Sequence, residues 1–156
     1  MEHKTICIIP ARGGSKGLPK KNTLELDGKS LIERVVKDAI KSNVAQTVLV
    51  TTDDSEIASL AKKAGAEVPF LRPNDLSQDL TTTEDTLKHA LLKYETMTNQ
   101  SFDTAVFLTA TDVFRNISLI KEVVKRLHEN PDLESVFVGY KTHKNFWEKN
   151  TDGRYA

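Results

Sequence analysis

Apolar positions along the chain alternate between short unbroken runs and longer stretches in which they return every three or four residues. The run Ile6-Cys7-Ile8-Ile9, ended by Pro10, reads as a strand buried on both faces. Similar runs at residues 47–51, 67–70, 105–108 and 135–138 predict four more strands. Between them, residues 30–41 place Leu31, Ile32, Val35, Val36, Ala39 and Ile40 on one helical face, with Ser30 and Glu33 spaced as a capping box. Residues 54–64 repeat the pattern with Ile57, Leu60, Ala61 and Ala64, and Gly65 supplies a left-handed stop. Helices over 83–94 and 118–128 complete the series. Strands alternating with helices predict a three-layer, doubly wound α/β fold around a mainly parallel sheet. Ligands of such sheets lie beyond the carboxyl ends of the strands, in the loops at 10–22, 52–54, 71–83 and 109–116 and in the chain after Gly139.

Composition narrows the partners. The 156 residues carry 22 Lys+Arg and 22 Asp+Glu, so no net charge draws the chain to nucleic acid. No apolar run is long enough for a membrane span, and the opening Met1-Glu2-His3-Lys4 does not lead into an export signal. A lone cysteine, Cys7, excludes an internal disulfide and fits a reducing compartment, so a cytoplasmic location is expected. The four histidines form no ligand pair of the H-x-x-x-H kind, and no zinc site is expected.

The richest chemistry lies in the first loop, Pro10-Ala11-Arg12-Gly13-Gly14-Ser15-Lys16-Gly17-Leu18-Pro19-Lys20-Lys21-Asn22, with three glycines and four cations directly after a buried strand. Glycines let backbone N–H groups approach a phosphate, and Arg and Lys neutralise its charge. Neither a Walker A pattern nor G-x-G-x-x-G is present.

This loop, followed by Leu26-Asp27-Gly28-Lys29-Ser30-Leu31-Ile32, closely resembles the opening of the acylneuraminate cytidylyltransferases, the CMP-sialic acid synthetases. The resemblance continues through Val50-Thr51-Thr52-Asp53-Asp54, Arg72-Pro73 and Leu76-Ser77-Gln78-Asp79, and weakly into His143 with Phe146-Trp147. It implies the nucleotide-diphospho-sugar transferase fold and a reaction in which CTP and a nonulosonic acid give the CMP-sugar and pyrophosphate, with Mg2+. By resemblance, Ala11, Arg12 and Gly13 lie against the nucleotide, and Lys16, Lys21 and Asn22 hold its phosphates. Arg12 and Lys21 are the expected catalytic cations, because transfer to an α-phosphate rests on positioning and charge stabilisation. Lys20 reads equally as a phosphate contact or a solvated neighbour. Arg72 is expected at the nucleotide, with a surface arginine as the alternative. One of Thr81, Thr82 and Thr83 is expected to cap a helix, and Thr83 to meet the cytosine. Asp53 and Asp54 read as helix caps before a metal pair.

In the loop after the fourth strand, the family's L-Q-x-T-S-P is replaced by Leu108-Thr109-Ala110-Thr111-Asp112-Val113-Phe114-Arg115. Thr111 and Arg115 are retained and are expected, with His143, to meet the sugar. Asp112 is the candidate magnesium ligand, with a loop-turn aspartate as the alternative. The His143 segment could also form a dimer contact. Residues 1–139 therefore read as a nucleotide-binding domain, and 140–156 as the start of a dimerisation or sugar-pocket segment, with a hairpin turn at Asp152-Gly153. The family's later Asp-x-Asp magnesium pair has no counterpart in these 156 residues. Weak CTP binding with little turnover is expected of this length, and a homodimer of a longer protein. The alternatives are a CTP-binding module without turnover and a ketodeoxyoctonate cytidylyltransferase.

Overall fold

The computed structural model describes residues 3–15, 17–78 and 80–139. Strand β1 (Thr5–Pro10) is buried because it has a neighbour on each side. After the first loop and a 3-10 turn (Lys21–Thr23), β2 (Glu25–Leu26) and β3 (Lys29–Ser30) pair as an antiparallel ribbon. Asp27 and Gly28 at its tip have φ of 54° and 68°, the two positive values that a type I′ hairpin turn requires. The chain continues through α1 (Leu31–Ser42), β4 (Thr47–Thr51), α2 (Ser55–Ala64), a 3-10 turn (Asn74–Ser77), α3 (Thr83–Thr98), β5 (Thr104–Phe107) and α4 (Ile117–Glu129).

The main sheet has the order β4-β1-β5 and is parallel throughout, with Ile8 opposite Leu49 on one side and Phe107 on the other. Because strand side chains alternate, β1 feeds two cores. Cys7 and Ile9 pack with Val48 and Val50 against α1, α2 and α4, whereas Ile6 and Ile8 pack with Leu49 against Ala90 and Tyr94 of α3. Helices thus cover both faces, which is the three-layer α/β architecture expected. Burial pushes the Cys7 thiol up to about 12, with the Arg115 charge opposing, so it is a packing group and not a nucleophile.

The helix ends follow local chemistry. Ser30 and Glu33 form the reciprocal capping box of α1. Asp54 caps α2 by accepting from the N–H groups of Glu56 (2.7 Å) and Ile57 (3.0 Å), and Gly65 ends that helix at φ 107°. Thr82 is the threonine that caps α3.

Two expected strands are corrected. Residues 67–70 make only a single parallel bridge, Leu49 to Glu67, since Pro69 has no N–H to extend a ladder. Residues 135–138 are not a strand: Phe137 is 86% exposed, and the segment borders a hollow beside β5 and α4 without joining a ladder. An apolar run becomes a strand only where another strand's edge accepts its backbone bonds. The expected segment 140–156, including His143, lies outside the described residues, as do Lys16 and Asp79.

Candidate active site

The carboxyl ends of the parallel strands open into a cleft of about 540 Å³. Arg12, Lys21 and Asn22 from the first loop, Arg72 from the segment after β4 and α2, Thr83 and Thr86 from α3, and Thr109 to Thr111 from the loop after β5 line it. Three cations therefore face one cleft, and among its described lining residues there is no carboxylate. That donor set suits an anion.

The first loop is held from below. Ala11 is buried and its N–H donates to Thr51 O (3.0 Å), extending the sheet's bonding one residue past β1. The Gly13 N–H then donates to Asp53 Oδ1 (3.0 Å). A Cβ on Gly13 would stand 2.6 Å from Asp54 Oδ2 and 2.9 Å from Asp54 Cβ, so glycine is required by this close approach. The loop is closed on itself by Asn22, only 6% exposed, whose amide donates to the Arg12 carbonyl (2.9 Å). Asn22 borders the cleft, yet its side chain also shapes the loop that carries Arg12. Lys20 reaches instead to Glu56 (3.3 Å) on the outer surface and is not among the lining residues.

Arg72 is 5% exposed. Its backbone N–H donates to Thr52 O (2.7 Å), its Nε–H to Ser77 Oγ (3.1 Å), and its guanidinium lies 3.8 Å from Asp53. Burial lowers its pKa, Asp53 opposes this, and the nearby Arg12 charge adds to it. Arginine stays charged even so. Two guanidiniums are thus close enough to repel each other across the cleft.

Of the site residues expected from sequence, the structure gathers Arg12, Lys21, Asn22, Arg72, Thr83 and Thr111 around this one cleft. Ala11 and Gly13 lie behind it. Asp112 and Arg115 line a second hollow of about 400 Å³ between β5, α4 and residues 136–138. There the buried Arg115 side chain pairs with Asp38 (3.5 Å) and Asp112 (3.6 Å) and donates to the Thr109 carbonyl, tying α1 to the loop that enters α4. Arg115 is thereby engaged in joining elements, and Asp112 neutralises it. No group of three or more His, Cys, Asp or Glu side chains suited to a metal occurs among the described residues.

Sequence reasoning missed the linked roles of Asp53 and Asp54, because residues 40 positions apart in the chain carry no local sign of contact. It also missed Ser77 on Arg72, which follows from the 3-10 turn at 74–77. The signal for the β2–β3 ribbon is the Asp27-Gly28 dipeptide at its turn.

A family model described as Cytidylyltransferase matches residues 6–151. The chain belongs to the cytidylyltransferase family. Relatives within it include the pseudaminic acid cytidylyltransferase of Campylobacter jejuni, 35% identical over 81% of this chain and 54% of that protein. The CMP-N,N'-diacetyllegionaminic acid synthase of Legionella pneumophila is 34% identical over 97% of this chain and 64% of that protein. The N-acylneuraminate cytidylyltransferase of Escherichia coli is 38% identical over 80% of this chain and 28% of that protein. The chain therefore spans about half to two thirds of the length of the first two relatives. Among solved structures, a CMP:2-keto-3-deoxy-manno-octonic acid synthetase complexed with CTP superposes with a TM-score of 0.68, at 25% identity over 83% of this chain and 49% of that one. A 4-diphosphocytidyl-2C-methyl-D-erythritol synthase, at 14% identity and a TM-score of 0.72, shares the fold. No helix among the described residues is long and apolar enough to cross a membrane.

Proposed function

We propose that this cytidylyltransferase-family chain binds CTP in the cationic cleft and serves the transfer of its CMP unit to a nonulosonic acid. The observation that carries the proposal is the convergence of Arg12, Lys21 and Arg72 on one cleft at the carboxyl ends of a parallel sheet. In the reaction, the sugar's anomeric hydroxyl oxygen forms a bond to the α-phosphorus, the bond from that phosphorus to the bridging oxygen breaks, and pyrophosphate leaves as the hydroxyl proton is released. Charge grows on the non-bridging oxygens and on the leaving pyrophosphate. Arg12 and Lys21 neutralise it from the loop, and Arg72 does so from a fixed, buried position, so little reorganisation accompanies the step. Thr83 and Thr86 offer hydroxyls to a base edge. Magnesium belongs to this proposal through the resemblance alone. A cytoplasmic location rests on the single cysteine, and a homodimer on the resemblance.

A nonulosonic acid is favoured over ketodeoxyoctonate because the relatives named for the former are 34 to 38% identical, against 25% for the ketodeoxyoctonate synthetase. Calorimetric titration with CTP, UTP and ATP tests the nucleotide. CTP should bind tightest, since a site built for the cytosine amino group leaves buried polar groups unpaired with uracil. Arg12→Ala and Lys21→Ala should each weaken CTP binding about tenfold or more, at roughly 1.5 to 3 kcal/mol for a charge-assisted contact. Equal affinity for UTP and CTP would refute the assignment. Pyrophosphate release assayed separately with sialic, legionaminic and pseudaminic acids identifies the acceptor.

A further inference from the structure

Asp53 is absent from the described cleft lining, yet it holds two of the cleft's parts. One oxygen, Oδ1, accepts the Gly13 N–H at 3.0 Å and stands 3.8 Å from the Arg72 guanidinium. The Arg72 side chain is 4% exposed and that of Asp53 22%, so this pair is largely removed from water. Such a cation is costly to bury without a countercharge, and Arg12 nearby makes it costlier. Resting on the reading of the cleft as a phosphate site, we infer that Asp53 is a positioning residue: its carboxylate takes the place of the ligand's negative charge while none is bound, keeping the glycine loop and Arg72 in binding geometry.

A specific energetic consequence follows. Once phosphate oxygens face Arg72, its guanidinium has another countercharge and depends less on Asp53. Removing the Asp53 charge therefore harms the protein without ligand more than the complex. Asp53→Asn is the informative change, because the amide oxygen still accepts the Gly13 N–H while Arg72 loses its countercharge. A group that harms only the unliganded state when removed makes binding tighter in its absence.

The test uses inorganic pyrophosphate, which has neither base nor sugar, with melting temperatures and calorimetric affinities measured on the full chain. Asp53→Asn should melt below the parent without ligand, recover most of that loss at saturating pyrophosphate, and bind it about three- to tenfold more tightly. A merely structural aspartate would lower both melting temperatures equally and leave affinity unchanged, and that result, or weaker binding, overturns the inference. If the single variant does not fold, Asp53→Asn combined with Arg72→Gln decides: the pair should fold and melt cooperatively, because the buried Arg72 charge is no longer left uncompensated. An unfolded pair overturns it. Should the parent bind neither pyrophosphate nor CTP, the phosphate reading fails, and this inference with it. Parent binding with an unaltered variant defeats the Asp53 role alone.

Discussion

Gly13→Ala places a methyl group where the structure has no room for one. The new carbon would lie 2.6 Å from Asp54 Oδ2, 2.9 Å from its Cβ and 3.2 Å from its Cγ, so three atoms of one side chain must retreat. That side chain is the N-cap of α2, receiving the N–H groups of Glu56 and Ile57. Moving it forfeits capping of about 0.5 to 2 kcal/mol. Shifting the first loop instead strains the Gly13 bond to Asp53, and overpacking of this kind costs about 1 to 3 kcal/mol. By either route a loss of about 1 to 3 kcal/mol lowers the melting temperature by roughly 2 to 12 °C for a domain of this size. Gly14→Ala is the control, since a Cβ there meets nothing within 4 Å, and it should melt close to the parent. Thermal unfolding followed by circular dichroism gives both values. A third variant isolates the cause: Asp54→Ala loses the cap by itself, and adding Gly13→Ala to it should cost less than Gly13→Ala costs the parent, because the clashing carboxylate is gone and only the contact with Cβ remains. If Gly13→Ala melts with the parent, or if its effect adds in full to that of Asp54→Ala, the close approach does not control this loop.

Arg115→Met should reduce stability by about 1 to 3 kcal/mol, by leaving the Thr109 carbonyl and Asp38 without their buried partner, while CTP affinity measured by calorimetry stays within about twofold, because Arg115 lines the second hollow. Burial, with the His3 charge beside it, lowers the pKa of His128, whose ring stacks on His3 at 4.1 Å and shares a 3.0 Å hydrogen bond with Thr104. Asp103 opposes that shift, and His89 is likewise lowered by burial. Groups with depressed histidine pKa values bind more protons unfolded than folded, so the urea midpoint should fall as pH drops below the ordinary value of 6.5, and His128→Gln should flatten the slope.

The alternation of unbroken apolar runs with helical stripes determined the layer architecture, because burial on both faces of β1 and on one face of each helix is written in residue type. Helix ends were legible for the same local reason: Ser30 with Glu33, Asp54 and Gly65 act within one turn of themselves. The cationic, glycine-rich character of the first loop was legible too, from glycines and cations side by side. Only the tertiary structure decided which of the carboxylates serve the site. Asp53 and Asp54 looked like two caps in a row; folding gives the cap to Asp54 alone and turns Asp53 toward Gly13 and Arg72. Arg115 and Asp112 sit three residues apart in a loop that leaves the cleft-forming strand end, yet the second carboxylate on Arg115, Asp38, comes from α1 and draws Arg115 inward. Strand status likewise passed out of local control at residues 67–70, which make a single bridge to the edge of β4, and at 135–138, which join no ladder although apolar character is present. Backbone hydrogen bonds and ion pairs between distant segments depend on where the chain brings their partners, and no window of sequence contains both members of such a pair.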